Sequence, residues 1–265
     1  MMSIFKSCKH YFFSFFLILL CLGTAKYASA ADGYYYQLKV YHLKTSAQED
    51  RLDSYLKNAY LPALHRMGIK NIGVFKAIAA DTSGKRIYVL IPYRNWSQLE
   101  KSDKKLMDDQ QYLTDGKDYL DAVYTAPVYN RMETIVLGAF PKMPEPAVPE
   151  LTANKTDRVY ELRSYESPTE KYNVNKVQMF NDGNEVALFK RLNFNAVFYA
   201  NVIAGSHMPN LMYMISFENM EEHDKHWKAF GSDPYWKQLS AKAEYQNNVS
   251  HIDAIFLHPA AYSDF

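Results

Sequence analysis

Tyr36-Gln37-Leu38-Lys39-Val40-Tyr41 is repeated in kind as Tyr160-Glu161-Leu162-Arg163-Ser164-Tyr165, 124 residues later. Three further pairs keep the same order. Val74-Phe75-Lys76-Ala77 resembles Val197-Phe198-Tyr199-Ala200 at an offset of 123. Residues 87–93 (IYVLIPY) resemble 211–217 (LMYMISF) at 124, and 132–137 (METIVL) resemble 252–257 (IDAIFL) at 120. One such pair is weak; four at nearly one offset mark a unit written twice. Between the copies stand Pro141, Pro144, Pro146 and Pro149, four of the chain's 11 prolines. That spacing predicts an extended, semi-rigid linker over 141–156.

Each copy reads strand, helix, strand, strand, helix, strand. Residues 34–43 are aromatic and β-branched enough for a strand. Leu52, Tyr55, Leu56, Ala59, Tyr60, Ala63, Leu64 and Met67 recur at steps of three and four, one apolar face of a helix, and Gly68 is its stop signal. Residues 72–80 and 87–93 flank the turn cluster Asp81-Thr82-Ser83-Gly84 and predict a hairpin. A second helix from about Ser97 and a strand over 131–137 complete the first copy. In the second copy the hairpin turn is Gly205-Ser206-His207-Met208-Pro209-Asn210, and Met220, His223, Trp227 and Phe230 form a helical stripe. The fold class is therefore α+β: two tandem ferredoxin-like (βαββαβ) domains, 33–140 and 157–262. Each antiparallel sheet has helices on one face only. Pairing the two bare faces closes a barrel within one pseudo-dimer.

The second copy resembles the NIPSNAP family of the dimeric α/β-barrel superfamily. Val159-Tyr160-Glu161-Leu162-Arg163-Ser164-Tyr165, Trp227 and Asp233-Pro234-Tyr235-Trp236 carry the likeness over 157–262. The first copy, 33–140, is a degenerate version whose matching segments are 36–41 and 109–112, without the Asp-Pro or the final Trp. The resemblance implies the barrel. It implies little chemistry, because superfamily relatives include haem-degrading and cofactor-free monooxygenases, isomerases and small-ligand binders.

Period-two alternation divides the first strand of each copy into two sets. Tyr36, Leu38, Val40 and Tyr160, Leu162, Ser164 are mostly apolar and suit the helix-covered face. Gln37, Lys39, Tyr41 and Glu161, Arg163, Tyr165 then point between the sheets. Glu161, Arg163, Tyr165, Lys39 and Tyr41 are the candidate ligand-binding residues of a polar cavity, where Arg163 offers a planar fork to an anion. The competing reading is a structural ion network joining the two halves, since buried charge requires pairing.

No catalytic, metal or cofactor site is expected. His223 and His226 lie three apart on a helix but lack a third ligand, and no HExxH is present. His65 could serve as an axial haem ligand, but a histidine is also electrostatically welcome near a helix C-terminus. His207 sits in a turn. Asn95, Asn154 and Asn248 begin Asn-x-Ser/Thr triplets, relevant only on a eukaryotic secretory route.

Lys6, Lys9 and His10 precede a short apolar run to Leu22 and the small-residue site Ala28-Ser29-Ala30, which predicts a signal peptide over 1–30 and a periplasmic or secreted protein. The run is shorter than the ~20 residues of a membrane span. Both cysteines, Cys8 and Cys21, lie in that leader, so the mature chain has no disulfide and no thiol chemistry. Removing the leader changes the formal charge from +1 to −2, and no basic face marks a nucleic-acid binder. GxGxxG, GxxxxGK[ST] and GxSxG are absent, which removes the usual phosphate loops and nucleophile-elbow hydrolases. The partners left open are a small anionic or polar ligand and further copies of the chain. Two functions remain: a non-catalytic binding protein, and a cofactor-free oxidase, monooxygenase or isomerase of the barrel type.

Overall fold

The computed structural model describes residues 33–78 and 84–265. The expected leader, 1–30, and most of the 81–84 turn lie outside the described residues. In the first half, β1 (Tyr35–Leu43) leads into α1 (Ser46–Tyr55), a π turn (Leu56–Tyr60) and α2 (Leu61–Arg66). Next come β2 (Gly73–Ala77), β3 (Lys85–Tyr93), four short helices α3 (Trp96–Glu100), α4 (Ser102–Met107), α5 (Gln110–Asp115) and α6 (Lys117–Leu120), and β4 (Arg131–Ala139). The second half repeats the order with β5 (Val159–Glu166), α7 (Glu170–Asn181), α8 (Glu185–Arg191), β6 (Phe198–Ala204) and β7 (Asn210–Phe217). It ends with α9 (Met220–Ser232), α10 (Pro234–Ser240), a 3-10 turn (Ala243–Tyr245) and β8 (His251–Pro259).

Side-chain caps set where the helices start. Thr45 Oγ1 accepts from the Gln48 amide, Asn95 Oδ1 from the Gln98 amide and Asn219 Oδ1 from the Glu222 amide. The Gln48 and Gln98 side chains reach back to accept from the amides of Lys44 and Arg94. Each cap satisfies amides that the first helical turn leaves without partners. All three stand just after a strand, so the chain turns from sheet to helix within two or three residues.

The eight strands close into one antiparallel barrel in the order β1-β3-β2-β8-β5-β7-β6-β4. Each half contributes four neighbouring strands. Short ladders at the two seams, Phe75–Ala77 with 257–259 and 136–139 with 200–204, remove every exposed edge. The predicted tandem ferredoxin-like barrel is what forms. The linker is tied down as well: Tyr34 N donates to Pro144 O at 2.7 Å, Ala147 N donates to Val197 O at 3.0 Å, and Leu151 is buried with the barrel interior.

The two faces of each sheet are reversed from the expectation. Tyr36, Leu38, Val40, Tyr160 and Leu162 fill the barrel interior with Phe75, Leu90, Phe198, Met212, Met214 and Leu257. Tyr41 packs with the helices of the first half, and Tyr165 with those of the second. Through the middle of β1, β3, β5 and β7 both faces are covered, so neither can be called the wet one. The enclosed interior takes the more apolar set, because a charge there would have no partner. Polar side chains go to the other face, where helices bring groups to meet them.

Candidate functional site

Antiparallel pairing around the circuit makes β1 and β5 parallel to each other, so their C-terminal ends open at the same mouth of the barrel. The inward alternation stays apolar through the middle of the barrel and turns polar in the last layer. The inward positions there are His42, Arg86, Glu133, Glu166, Asn210, His251 and Asp253. A cavity of about 150 Å³ lies at this mouth, lined by Arg86, Tyr88, Glu133, Ser164, Asn210 and Asp253, with Ser206 and His207 of the β6–β7 turn and Leu38, Val40, Leu162 and Met212 beneath.

The polar groups of the mouth hold one another in place. His42 Nε2 lies 2.5 Å from Glu133 Oε1, and Ser206 Oγ donates to Glu133 Oε2 at 3.4 Å. Asn210 Nδ2 donates to Ser164 Oγ at 2.9 Å. His207 Nδ1 stands 2.9 Å from Glu166 Oε1, and His251 Nε2 3.1 Å from Asp253 Oδ1. Single-strand reading missed this ring because its members come from six strands and a turn. The signal was present as the polar ends of otherwise apolar alternating sets.

The five sequence-predicted residues lie outside the barrel interior, in two separate helix–sheet layers. In the second half Glu161 is 1% exposed and receives Arg163 Nη1 on one oxygen. Its other oxygen accepts from Trp227 Nε1 at 2.8 Å and faces His223 Nε2 at 3.2 Å. The Arg163 guanidinium lies 4.7 Å from the Trp227 ring centre, and its Nε donates to Tyr165 Oη at 3.2 Å. Tyr165 Oη in turn meets Tyr213 Oη at 2.8 Å. In the first half Lys39 Nζ sits 5.5 Å from the Tyr60 ring, and Tyr41 is buried beside Tyr119 and Tyr129. Glu161, Arg163 and Tyr165 thus come together, whereas Lys39 and Tyr41 join a different layer. No single cavity holds all five, because alternation sends them outward toward different helices.

Burial alone would raise the Glu161 carboxyl, but the His223 hydrogen bond, the Arg163 charge and the Trp227 N–H outweigh it and hold the group below the usual carboxylate range. Burial would lower His223, yet its bonds to Glu161 and Asp224 lift it above 6.5. A folded value above the unfolded one contributes stability that is complete below about pH 6.5 and is lost as pH rises through the folded value. Thermal melts from pH 6 to 9 are therefore expected to decline more steeply for the unaltered chain than for His223→Gln. Parallel curves would remove the imidazolium from the network.

Among the described residues, Glu166, His251 and Asp253 bring one nitrogen and two carboxylate oxygens within 4.8 Å of one another. His65, weighed as a haem ligand, pairs instead with Asp264 at 2.9 Å. No described helix is long and apolar enough to cross a membrane.

Residues 160–264 match the NIPSNAP family. A candidate monooxygenase from Lactobacillus acidophilus NCFM aligns at 13% identity and a TM-score of 0.54, covering 86% of this chain and 94% of that chain. A candidate monooxygenase from Fusobacterium nucleatum aligns at 8% identity and a TM-score of 0.54, covering 86% and 93%. A NIPSNAP-like domain protein from Burkholderia xenovorans aligns at 16% identity and a TM-score of 0.37 over 40% of this chain and 88% of that chain. The comparison with curated proteins gave no significant match. These two likenesses, each over 86% of the chain, show the shared α/β-barrel fold and, at such identities, nothing finer.

Proposed function

We infer, from the premise that residues 160–264 belong to the NIPSNAP family, that this is an exported protein binding a small polar ligand in the barrel mouth without turning it over. The leader-like residues 1–30 support export. The observation that carries the binding reading is the change from an apolar interior to a ring of both charge signs around the cavity. Glu133 and Asp253 can accept hydrogen bonds, Arg86 and His207 can donate them, and the apolar floor excludes water beneath. The size suits a ligand of roughly one six-membered ring.

Purified full-length protein, incubated with a small-molecule extract of its native host, is expected to retain a bound mass in native mass spectrometry. At 100 times its dissociation constant that ligand should add about 2.7 kcal/mol of stability. Met212→Trp, which fills the cavity from its floor, should abolish both effects. An extract that leaves mass and melting temperature unchanged would end this reading.

One observation favours catalysis as the second reading. Glu133 lines the cavity while bonded to His42, and an imidazole–carboxylate pair at a cavity wall can pass a proton. The like-folded proteins described as candidate monooxygenases keep oxidation on this scaffold in view. Conversion of the retained molecule, lost in Glu133→Gln while its binding persists, would replace the binding reading by this one.

A further inference from the structure

We propose that Glu166, His251 and Asp253 bind a divalent transition-metal ion at the barrel mouth, with His207 as a fourth ligand. The sheet itself builds the set. Glu166 is the cross-strand partner of His251, and Asp253, opposite Ser164, is two residues further along β8 and so returns to the same inward face. Their ligand atoms already lie within 4.8 Å of one another, and His251 Nε2 is 3.1 Å from Asp253 Oδ1. A tetrahedral ion with bonds of about 2.0–2.2 Å holds its ligands roughly 3.4 Å apart, so rotamer adjustment alone can close the set.

His207 and Glu166 supply an independent observation. The turn holds His207 at φ 62°, in the left-handed region, and brings its Nδ1 to 2.9 Å from Glu166 Oε1. That oxygen is itself shielded from solvent, and its contact with the imidazole is an ion-pair approach without a hydrogen bond. A shielded carboxylate oxygen whose one recorded contact is an imidazole, charged only when protonated, gains from a cation that both groups can ligate.

The donor set selects the ion. Imidazole nitrogen disfavours magnesium and calcium, the absence of thiolate disfavours copper(I), and mixed nitrogen and oxygen ligands suit zinc, iron(II), manganese or cobalt. His251 and Asp253 are exposed, so the ion has an entry path. Asp253 also lines the cavity, so a position left open on the metal would face it. The site does not depend on the cavity's occupant and is tested without one.

The test uses chelator-treated full-length protein titrated with zinc by calorimetry, and with cobalt(II) followed by visible absorption. One zinc equivalent per chain is expected, with proton release, and a cobalt spectrum of an ordered mixed-ligand site. His251→Ala and Asp253→Asn should each weaken zinc at least tenfold, while His65→Ala, at the other end of the molecule, should leave it unchanged. Circular dichroism shows that each variant is folded. Absence of saturable zinc binding, or equal affinity in His251→Ala, Asp253→Asn and the unaltered chain, would overturn the site.

Discussion

Arg163→Met is expected to cost about 3–5 kcal/mol of stability, because it leaves the Glu161 carboxylate buried without its cation. Trp227 and His223 still bond the other oxygen, but His223 carries charge only when protonated. Arg163 also covers the Trp227 ring, so packing is lost with the charge. Adding Glu161→Gln should recover much of the loss, since a neutral amide can still accept from Trp227. Denaturant melts of the unaltered chain, both single variants and the double variant complete the cycle. Glu161 has a depressed folded value, so its contribution is complete above the unfolded value of about 4.5 and fades below it as pH falls through the lower folded value. The double variant should lose this acid slope. A single Arg163→Met variant as stable as its parent would show that the network holds nothing together.

Residues 157–265 expressed alone are expected to form no stable folded monomer. Gly33–Phe265 is one compact unit, and the cut would bare both seams and the inward face of β5–β8. Leu162, Phe198, Val202, Met212, Met214 and Leu257 would face water. At about 2 kcal/mol for each buried side chain, the loss is on the order of 10 kcal/mol, comparable to the whole stability of a domain. Two copies of the fragment can restore the barrel by pairing with each other. Sedimentation should therefore find dimers, larger species or unfolded chain. A monomer melting with the full-length protein would contradict the closed barrel.

The repeat, the apolar helical face from Leu52 to Met67 and the βαββαβ order were legible because period and spacing are local properties. Even the helix stop at Gly68 is seen, at φ 76°. Which side of a strand faces the axis was not. Tyr36-Leu38-Val40 and Lys39-Tyr41 are both buried or half-buried, and alternation separates two sets without saying what covers each. The partners that make the outward face hospitable, His223 and Trp227, stand 62 and 66 residues from Glu161, and only the packing of α9 brings them back. The mouth was hidden for the same reason: Glu166 and His251 are neighbours only through the β5–β8 register. The Glu161–Arg163–Tyr165 cluster was found because all three share one strand face.

Because β1 and β5 run parallel, rotation about the barrel axis relates the two halves and leaves the two ends of the barrel unlike. Were identical chains to make such a barrel, each mutation would strike opposite walls of a mouth together. Here it strikes one. His42 and Glu133 can change while Glu166, His251 and Asp253 stay, and each wall answers to selection separately. The helix layers already differ, with stacked tyrosines such as Tyr55 and Tyr119 on one side and an ion network on the other. Joining the copies in one chain turns a symmetric rim into one with a left and a right.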